Sequence, residues 1–274
     1  MPDRRIAFFV SDRTGITAEM LGNSLLSQFE GCAFQRQTIP FVDTPDKIIE
    51  VVRRIDEVAN ESGLRPLVFS SIVDEVMSAQ LGRANALVLD LFQVFIAPLE
   101  LELGAKSSHA AGRSHGIANS LEYFARMEAI NFAQAHDDGA ATRELAKAQV
   151  ILVGVSRCGK TPTTLYLALQ FGILAANFPL TPDDFADKEL PKSIKPFRQK
   201  LFGLTIEPAR LQQIREARRP ASKYASLANC QYEVREAEAL MVRERLPTLD
   251  TTSRSIEEIA TTILHQAGLQ RHIF

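Results

Sequence analysis

Short apolar runs alternate with longer amphipathic stretches over the first half of the chain. Four runs have the length and the β-branched or aromatic content of buried strands, at residues 6–10, 34–42, 67–69 and 86–90. Between them apolar positions recur at helical spacing, most clearly at residues 46–59. This alternation predicts a parallel sheet covered by helices.

The same alternation continues in the second half. Apolar runs predict three further strands, at residues 148–153, 173–178 and 200–206. Helices are predicted on either side of them, at residues 118–135, 140–147, 163–171, 224–246 and 256–267. Residues 247–252 are predicted to be a short connection. The second half therefore also has an α/β pattern.

A glycine-rich segment stands between the predicted strand at 148–153 and the helix after it, and it fits the phosphate-binding pattern G-x-x-x-x-G-K-[ST]. In this pattern backbone N–H groups and the helix dipole bind phosphates, the lysine contacts the β- or γ-phosphate, and the last hydroxyl binds Mg²⁺. Lys160 is thus a catalytic candidate and Thr161 a candidate metal ligand. The predicted nucleotide-binding residues are Gly154, Val155, Ser156, Arg157, Cys158, Gly159, Lys160 and Thr161.

Further charged residues are candidates for chemistry at this loop. Asp137 and Asp138 precede it, and either is a candidate general base or magnesium ligand; the alternative is a pair of surface acids at a helix C-terminus. Arg157, inside the loop, is the candidate for a second positive contact with phosphate. Downstream, Arg218 and Arg219 either clamp phosphates or form a solvated face.

Three polar segments of the first half have two interpretations each. The turn at residues 11–15 either binds a phosphorylated group or a partner side chain, or caps the next helix through Asp12 or Thr14. Asp90 ends an apolar run as a Walker B acid does, but it precedes the phosphate loop, which favours a capping or core-edge role. Residues 104–119 form either a functional loop or a solvated one.

Composition and charge exclude several classes of protein. The 274 residues are 46% hydrophobic, and 31 basic against 33 acidic residues leave a net charge of −2. Such a chain has no overall attraction to nucleic acid or to an anionic membrane. Its first apolar run is too short for a signal peptide, and no run approaches the roughly 20 apolar residues of a membrane span. Three scattered cysteines indicate a reducing compartment, so we expect a cytoplasmic protein.

We place a domain boundary at the acidic turn, which divides the chain into residues 1–139 and 140–274. The first part is predicted to be an N-terminal parallel-sheet α/β domain. The second is predicted to be a C-terminal P-loop kinase-like α/β domain that binds the nucleotide, because it contains the phosphate loop.

Seven stretches together resemble one protein family. They are SDRTGITAE (11–19), FVDTP (41–45), YFARMEA (123–129), HDDG (136–139), GVSRCGKTP (154–162), GLTI (203–206) and SIEE (255–258). Over almost its full length the chain resembles the phosphoenolpyruvate synthetase and pyruvate, phosphate dikinase regulatory proteins.

The resemblance implies a bifunctional enzyme. Members of that family phosphorylate and inactivate their target on a threonine near its catalytic histidine, with ADP as the donor. They also remove this phosphate with inorganic phosphate and release pyrophosphate. Much of the family has Thr-Ser-Lys-Thr where this chain has CGKT at residues 158–161. The CGKT form resembles the branch acting on phosphoenolpyruvate synthetase, which is therefore the expected protein substrate, and the resemblance also implies a homodimer.

Other functions remain open at this point. The phosphate loop alone would favour a small-molecule P-loop kinase. A nucleotide-sensing module without chemistry is a third possibility, because no Walker B acid stands downstream of the loop. Within the family, pyruvate, phosphate dikinase is the alternative target. The phosphate donor distinguishes the family activity from the other functions, since only the family activity uses ADP.

Overall fold

The computed structural model describes residues 4–108, 120–139, 144–186 and 188–270. The chain divides into two compact units, Met1–Gly116 and Ile117–Phe274. Each unit contains a four-stranded parallel sheet with helices packed on it, so the predicted α/β fold class is confirmed. Within the described ranges, no helix has both the length and the apolar character that a membrane crossing requires.

The first unit is built on the sheet β2-β1-β3-β4, in which every neighbouring pair is parallel. Its strands are β1 (Arg5–Val10), β2 (Phe34–Ile39), β3 (Leu67–Ser70) and β4 (Leu87–Asp90). Its helices are α1 (Ile16–Leu26), α2 (Pro45–Ser62), α3 (Glu75–Leu81) and α4 (Gln93–Leu103). Alternate residues of β1 face opposite sides, so Phe8 packs with Ile48 of α2 and Phe9 with Ala18 of α1.

The second unit is built on the parallel sheet β6-β5-β7-β8. Its strands are β5 (Val150–Gly154), β6 (Ala175–Pro179), β7 (Leu201–Thr205) and β8 (Thr248–Asp250). Its helices are α5 (Ser120–Ala135), α6 (Lys160–Phe171), α7 (Pro182–Ala186), α8 (Pro208–Arg218), α9 (Leu227–Arg243) and α10 (Ile256–Gln266). Every residue of β5 is buried, which explains its continuous apolar run.

The division between the units lies at residues 116 and 117, upstream of the predicted boundary between residues 139 and 140. Helix α5 belongs to the second unit because Ala129 and Ala133 pack against Ala168 of α6. Periodicity predicts this helix correctly, but it does not tell which sheet the apolar face will cover.

Two local predictions also differ from the structure. The connection predicted at 247–252 contains β8, whose Leu249 pairs with Leu204 of β7; three residues are too few to show a strand pattern. The helix predicted at 140–147 lies partly outside the described residues. Its described end is a 3-10 turn, Leu145–Lys147, preceded by Glu144 at φ 67°, which an α-helix cannot contain.

Asp90 has the capping role that its position favoured. Its Oδ1 accepts hydrogen bonds from the backbone N–H of Phe92 at 3.0 Å and of Gln93 at 2.9 Å, where α4 begins. Asp90 lies in the first unit and the phosphate loop in the second. The carboxylate is therefore occupied in starting a helix.

Candidate active site

The phosphate loop lies at the carboxyl end of the central strand of the second sheet. Strand β5 has β6 on one side and β7 on the other, so the chain reverses its direction of winding here, which is where α/β proteins bind ligands. Helix α6 begins at Lys160, after Gly159 at φ 96°, and no described side chain caps its first turn. The predicted order of strand, loop and helix is confirmed. The free N–H donors of such a helix start favour an anion.

The start of the loop admits only glycine. A Cβ atom at Gly154 would lie 2.3 Å from the carbonyl oxygen of Leu204 and 2.8 Å from Sγ of Cys158. Cys158 is buried beneath the loop, and this burial raises the pKa of its thiol. A neutral, enclosed thiol fills space, so Cys158 is a packing residue rather than a nucleophile.

The two basic residues of the loop have different environments. Lys160 is 4% exposed, and its Nζ donates a hydrogen bond to the carbonyl oxygen of Val155 at 2.9 Å. An ammonium group has three N–H donors, so two remain for phosphate oxygens. Arg157 is exposed at φ 76° and forms no hydrogen bond or ion pair with the described part of the chain. Its contact with phosphate stays a prediction.

Asp137 lies directly beside the phosphate loop. Thr161 Oγ1 donates a hydrogen bond to Asp137 Oδ1 at 2.7 Å, and Asn177 Nδ2 donates to the same oxygen at 2.6 Å. Asn177 lies on β6 and is 2% exposed. The structure thus brings two of the predicted site residues, Asp137 and Thr161, into direct contact, and a buried amide that sequence reasoning missed holds the same carboxylate oxygen.

Asp138 is placed differently. It is exposed, with φ 49°, and its backbone N–H donates to Asn177 Oδ1 at 3.0 Å. Its side chain forms no hydrogen bond with any residue described by the structure. Of the two candidate carboxylates, only Asp137 contacts the loop, although the identity of the base stays a prediction.

A buried arginine fixes the middle of the loop. Arg215 of α8 is fully buried; its Nη2 donates to the carbonyl oxygen of Ser156 at 3.0 Å and to Glu233 Oε2 at 2.6 Å. Its guanidinium carbon lies 4.1 Å from the ring centroid of Tyr224, whose hydroxyl lies 2.9 Å from Ser156 Oγ. The loop backbone is therefore held by a charged, hydrogen-bonded network.

Sequence reasoning missed Arg215 and pointed instead to Arg218 and Arg219. Those two side chains are exposed and make no contact with the loop in the described structure. One signal in the sequence could have indicated that Arg215 is buried. It follows Leu211 by four residues and therefore lies on the same side of the helix as that buried leucine.

Thr251, directly after β8, supports the loop from the other side. It is buried, and its Oγ1 lies 3.0 Å from the carbonyl oxygens of Cys158 and Thr205. The sequence gave no signal for this contact, because β8 itself was predicted to be a connection.

The site offers oxygen ligands suited to Mg²⁺. Thr161 Oγ1 and Asp137 Oδ1 lie 2.7 Å apart at the start of α6. Across the described residues there is no cluster of three or more His, Cys, Asp or Glu that could hold a metal by itself. Mg²⁺ binding at Thr161 stays a prediction; this ion commonly binds few protein oxygens and completes its shell with substrate phosphates and water.

A comparison with known protein families gives a match over most of the chain. A family model described as kinase/pyrophosphorylase matches residues 7–264. The chain belongs to the kinase/pyrophosphorylase family. This match spans both units and includes the loop, Asp137 and Arg215.

Individual members of the kinase/pyrophosphorylase family are similar over their full length. The chain is 56% identical to a protein of Aromatoleum aromaticum, over 98% of both chains. It is 54% identical to one of Legionella pneumophila, over 98% of this chain and 100% of the relative, and 55% identical to one of Bordetella parapertussis, over 98% of both. Each is named "Putative phosphoenolpyruvate synthase regulatory protein". The resemblance found in the sequence motifs is confirmed.

Proposed function

We propose that this protein transfers the β-phosphoryl group of ADP to a threonine of phosphoenolpyruvate synthetase and thereby inactivates it. We propose also that it removes this group with inorganic phosphate, which releases pyrophosphate and restores the target. Two facts support the proposal: the chain belongs to the kinase/pyrophosphorylase family, and its relatives are named as regulators of this synthase.

The contact between Asp137 and Thr161 carries the chemical part of the proposal. A carboxylate 2.7 Å from the hydroxyl at the start of α6 stands next to the phosphates that the loop would bind. A general base must lie within hydrogen-bonding reach of the proton that it removes. We therefore propose Asp137 as the base for a target threonine that would bind beside Thr161.

In the kinase direction the loop N–H groups and Lys160 bind the diphosphate of ADP. The target threonine oxygen forms a bond to the β-phosphorus while the bond from that phosphorus to the bridging oxygen breaks. The products are phosphothreonine and AMP, and the hydroxyl proton passes to Asp137. Thr161 is the residue that would hold Mg²⁺, and the ion would neutralise charge on the diphosphate.

In the reverse direction an oxygen of inorganic phosphate attacks the phosphorus of phosphothreonine. The bond from phosphorus to the threonine oxygen breaks, Asp137 returns a proton to that oxygen, and pyrophosphate leaves. Both directions place a phosphate beside the transferring group, so one anion site at Lys160 serves both.

The phosphate donor tests the proposal. Purified protein is incubated with phosphoenolpyruvate synthetase and ADP labelled in the β-phosphate, with pyruvate, phosphate dikinase as a parallel acceptor. We expect label on a threonine of the synthetase, formation of AMP, and release of labelled pyrophosphate when phosphate is added. ADP labelled in the α-phosphate is the control and should leave the protein unlabelled.

Other outcomes would favour the alternative functions. Transfer from ATP to a small molecule, without label from ADP on protein, would indicate a small-molecule kinase. Nucleotide binding without transfer in either direction would indicate a sensing module.

A further inference from the structure

The two faces of the first sheet are covered unequally. Helices α2 and α3 pack on one face, where Phe8 and Val68 of the sheet share a buried core with Ile48 and Leu81. The opposite face packs against α1. Among the described residues, the buried members of this second core come only from β1, β3 and α1, and Leu89 of β4 is only partly buried.

This unequal covering leaves an apolar pocket at the amino-terminal edge of the first sheet. Its floor contains Phe34, Leu67 and Leu87, which are the first residues of β2, β3 and β4. Its side wall is formed by the carboxyl end of α1 and the turn after it, at Leu25 and Phe29. The pocket therefore lies at the opposite end of the sheet from the turn at residues 11–15.

Several large apolar side chains of this pocket are left in contact with water. Leu25 is 43% exposed, Leu87 42% and Phe29 61%. A single exposed apolar side chain is ordinary, but these three line one concave surface. A ligand that covers them removes apolar area from water, which favours its binding.

The volume and lining of the pocket limit the ligand. A cavity of about 150 Å³ holds benzene, so the volume of about 400 Å³ accommodates roughly ten to sixteen carbon atoms. A two-turn α-helix would need at least about twice this volume. The lining is predominantly apolar, so a nucleotide or a sugar would lose hydrogen bonds to water without replacement. A small hydrocarbon group fits best.

Arg5 determines which head group fits. It is the one charged residue among the described residues that line the pocket. Its Nε donates a hydrogen bond to the carbonyl oxygen of Arg65 at 2.8 Å, which orients the guanidinium group. The two terminal nitrogens donate to no described residue. A guanidinium group in this state binds a carboxylate through two parallel hydrogen bonds.

We propose that this pocket binds an apolar monocarboxylate of roughly ten to sixteen carbon atoms, such as the anion of a fatty acid. The hydrocarbon chain lies against Leu67, Leu87 and Phe29, and the carboxylate pairs with Arg5 at the rim. The site belongs wholly to the first unit and is independent of the proposed phosphoryl transfer.

Cys32 gives a direct measure of occupancy, because it lines the pocket and is exposed, whereas Cys158 and Cys230 are buried. The full-length protein is treated with N-ethylmaleimide at increasing concentrations of decanoate, and mass spectrometry locates the modified thiol. We expect saturable slowing of Cys32 modification by at least about fivefold, because a covered thiol is not accessible. Acetate, which lacks the chain, should not protect. The two buried thiols should stay unmodified, which shows that decanoate has not unfolded the protein.

Variants separate the head group from the chain. Arg5→Met should weaken decanoate binding about three- to tenfold and leave binding of decan-1-ol unchanged, because only the carboxylate pairs with the guanidinium group. Arg36→Met, at an exposed position of β2 outside the pocket, is the matched control and should change neither. Leu87→Trp should prevent binding of both ligands by filling the pocket. If Leu87→Trp fails to fold, Leu25→Trp on the exposed side wall replaces it, with the same expectation.

Three results would overturn the proposal. The first is that decanoate does not slow the modification of Cys32. The second is that Arg5→Met leaves decanoate binding unchanged or weakens both ligands equally. The third is that Cys32 becomes protected at high protein concentration without any ligand, because a second copy of the chain would then cover the pocket.

Discussion

The two sheets have the same strand order, since β2-β1-β3-β4 in the first unit corresponds to β6-β5-β7-β8 in the second. In both, the first strand is central and leads through a loop into a helix that starts after a left-handed glycine, Gly15 at φ 85° and Gly159 at φ 96°. Neither helix has a side-chain cap. The shared topology thus produces the same kind of uncapped helix start twice.

The side chains around these two helix starts differ. The loop of the second unit contains a buried lysine, Lys160, and is fixed by the ion pair between Arg215 and Glu233. The loop of the first unit has Asp12 and Ser71 in the corresponding surroundings. The topology of the two sheets is therefore the same, whereas the side chains around the two helix starts are different.

The largest effect is expected from removing the buried lysine of the phosphate loop, a charge that the first unit's loop does not have in the corresponding place. Lys160→Ala should reduce both proposed reactions by at least about a thousandfold, because the main positive charge on the transferring group is lost. Assays with β-labelled ADP and with phosphate measure the two directions. Lys147→Ala, an exposed lysine of the same unit, should leave both intact. Survival of one direction in Lys160→Ala would show that the two reactions use separate phosphate sites.

The network that holds the second loop can be broken separately. Arg215→Met leaves Glu233 buried without its partner and should lower the free energy of unfolding by about 3–5 kcal/mol. Urea unfolding measures the loss. Arg218→Met, at an exposed position of the same helix, should stay within about 0.5 kcal/mol of the parent protein. Equal stability of the two variants would mean that the ion pair does not hold the loop.

The two adjacent carboxylates give the next comparison. Asp137→Asn should lower kcat roughly a hundredfold in the kinase direction, because the group beside Thr161 can no longer accept a proton. Asp138→Asn is the matched control, since this side chain is exposed, and kcat should change less than about twofold. A reversed order of the two effects would identify Asp138 as the base.

The two left-handed glycines test whether the helix starts are equivalent. Gly15→Ala and Gly159→Ala should each lower stability by about 1–2 kcal/mol, because L-residues are strained at positive φ. Gly82→Ala is the control, since Gly82 has φ −60° and a Cβ there meets no atom closer than 3.4 Å. Thermal unfolding measures all three. A harmless Gly15→Ala would break the comparison between the two junctions.

The smallest effect concerns the thiols. Cys32 in the first unit is exposed, whereas Cys158 and Cys230 in the second are buried, and burial raises the pKa of both buried thiols. A thiol-specific reagent should therefore modify Cys32 alone in the native protein. Because the raised pKa values keep the folded thiols protonated, ionisation of the unfolded thiols should lower stability as the pH rises above about 8.5. Rapid labelling of Cys158 would contradict its packing role.

Local sequence patterns were enough to predict the fold class and the position of the phosphate loop. Continuous apolar runs such as residues 150–154 mark strands buried on both faces, and their alternation with amphipathic stretches gives the α/β class. The phosphate loop can also be recognised from sequence, because its glycines and Lys160 belong to one continuous stretch of the chain. Asp137 was a candidate for the same reason, as an acid close to the loop in sequence.

Only the tertiary structure decided which distant residues meet at the loop. Arg215, Asn177 and Thr251 come from three other elements, and each reaches the site because parallel pairing aligns the carboxyl ends of β5, β6, β7 and β8. The same packing assigned α5 to the second unit and separated Asp137 from Asp138. The spacing of apolar residues shows which face of a helix or strand will be buried. It does not show which element that face will pack against, because this depends on contacts between segments that are distant in sequence.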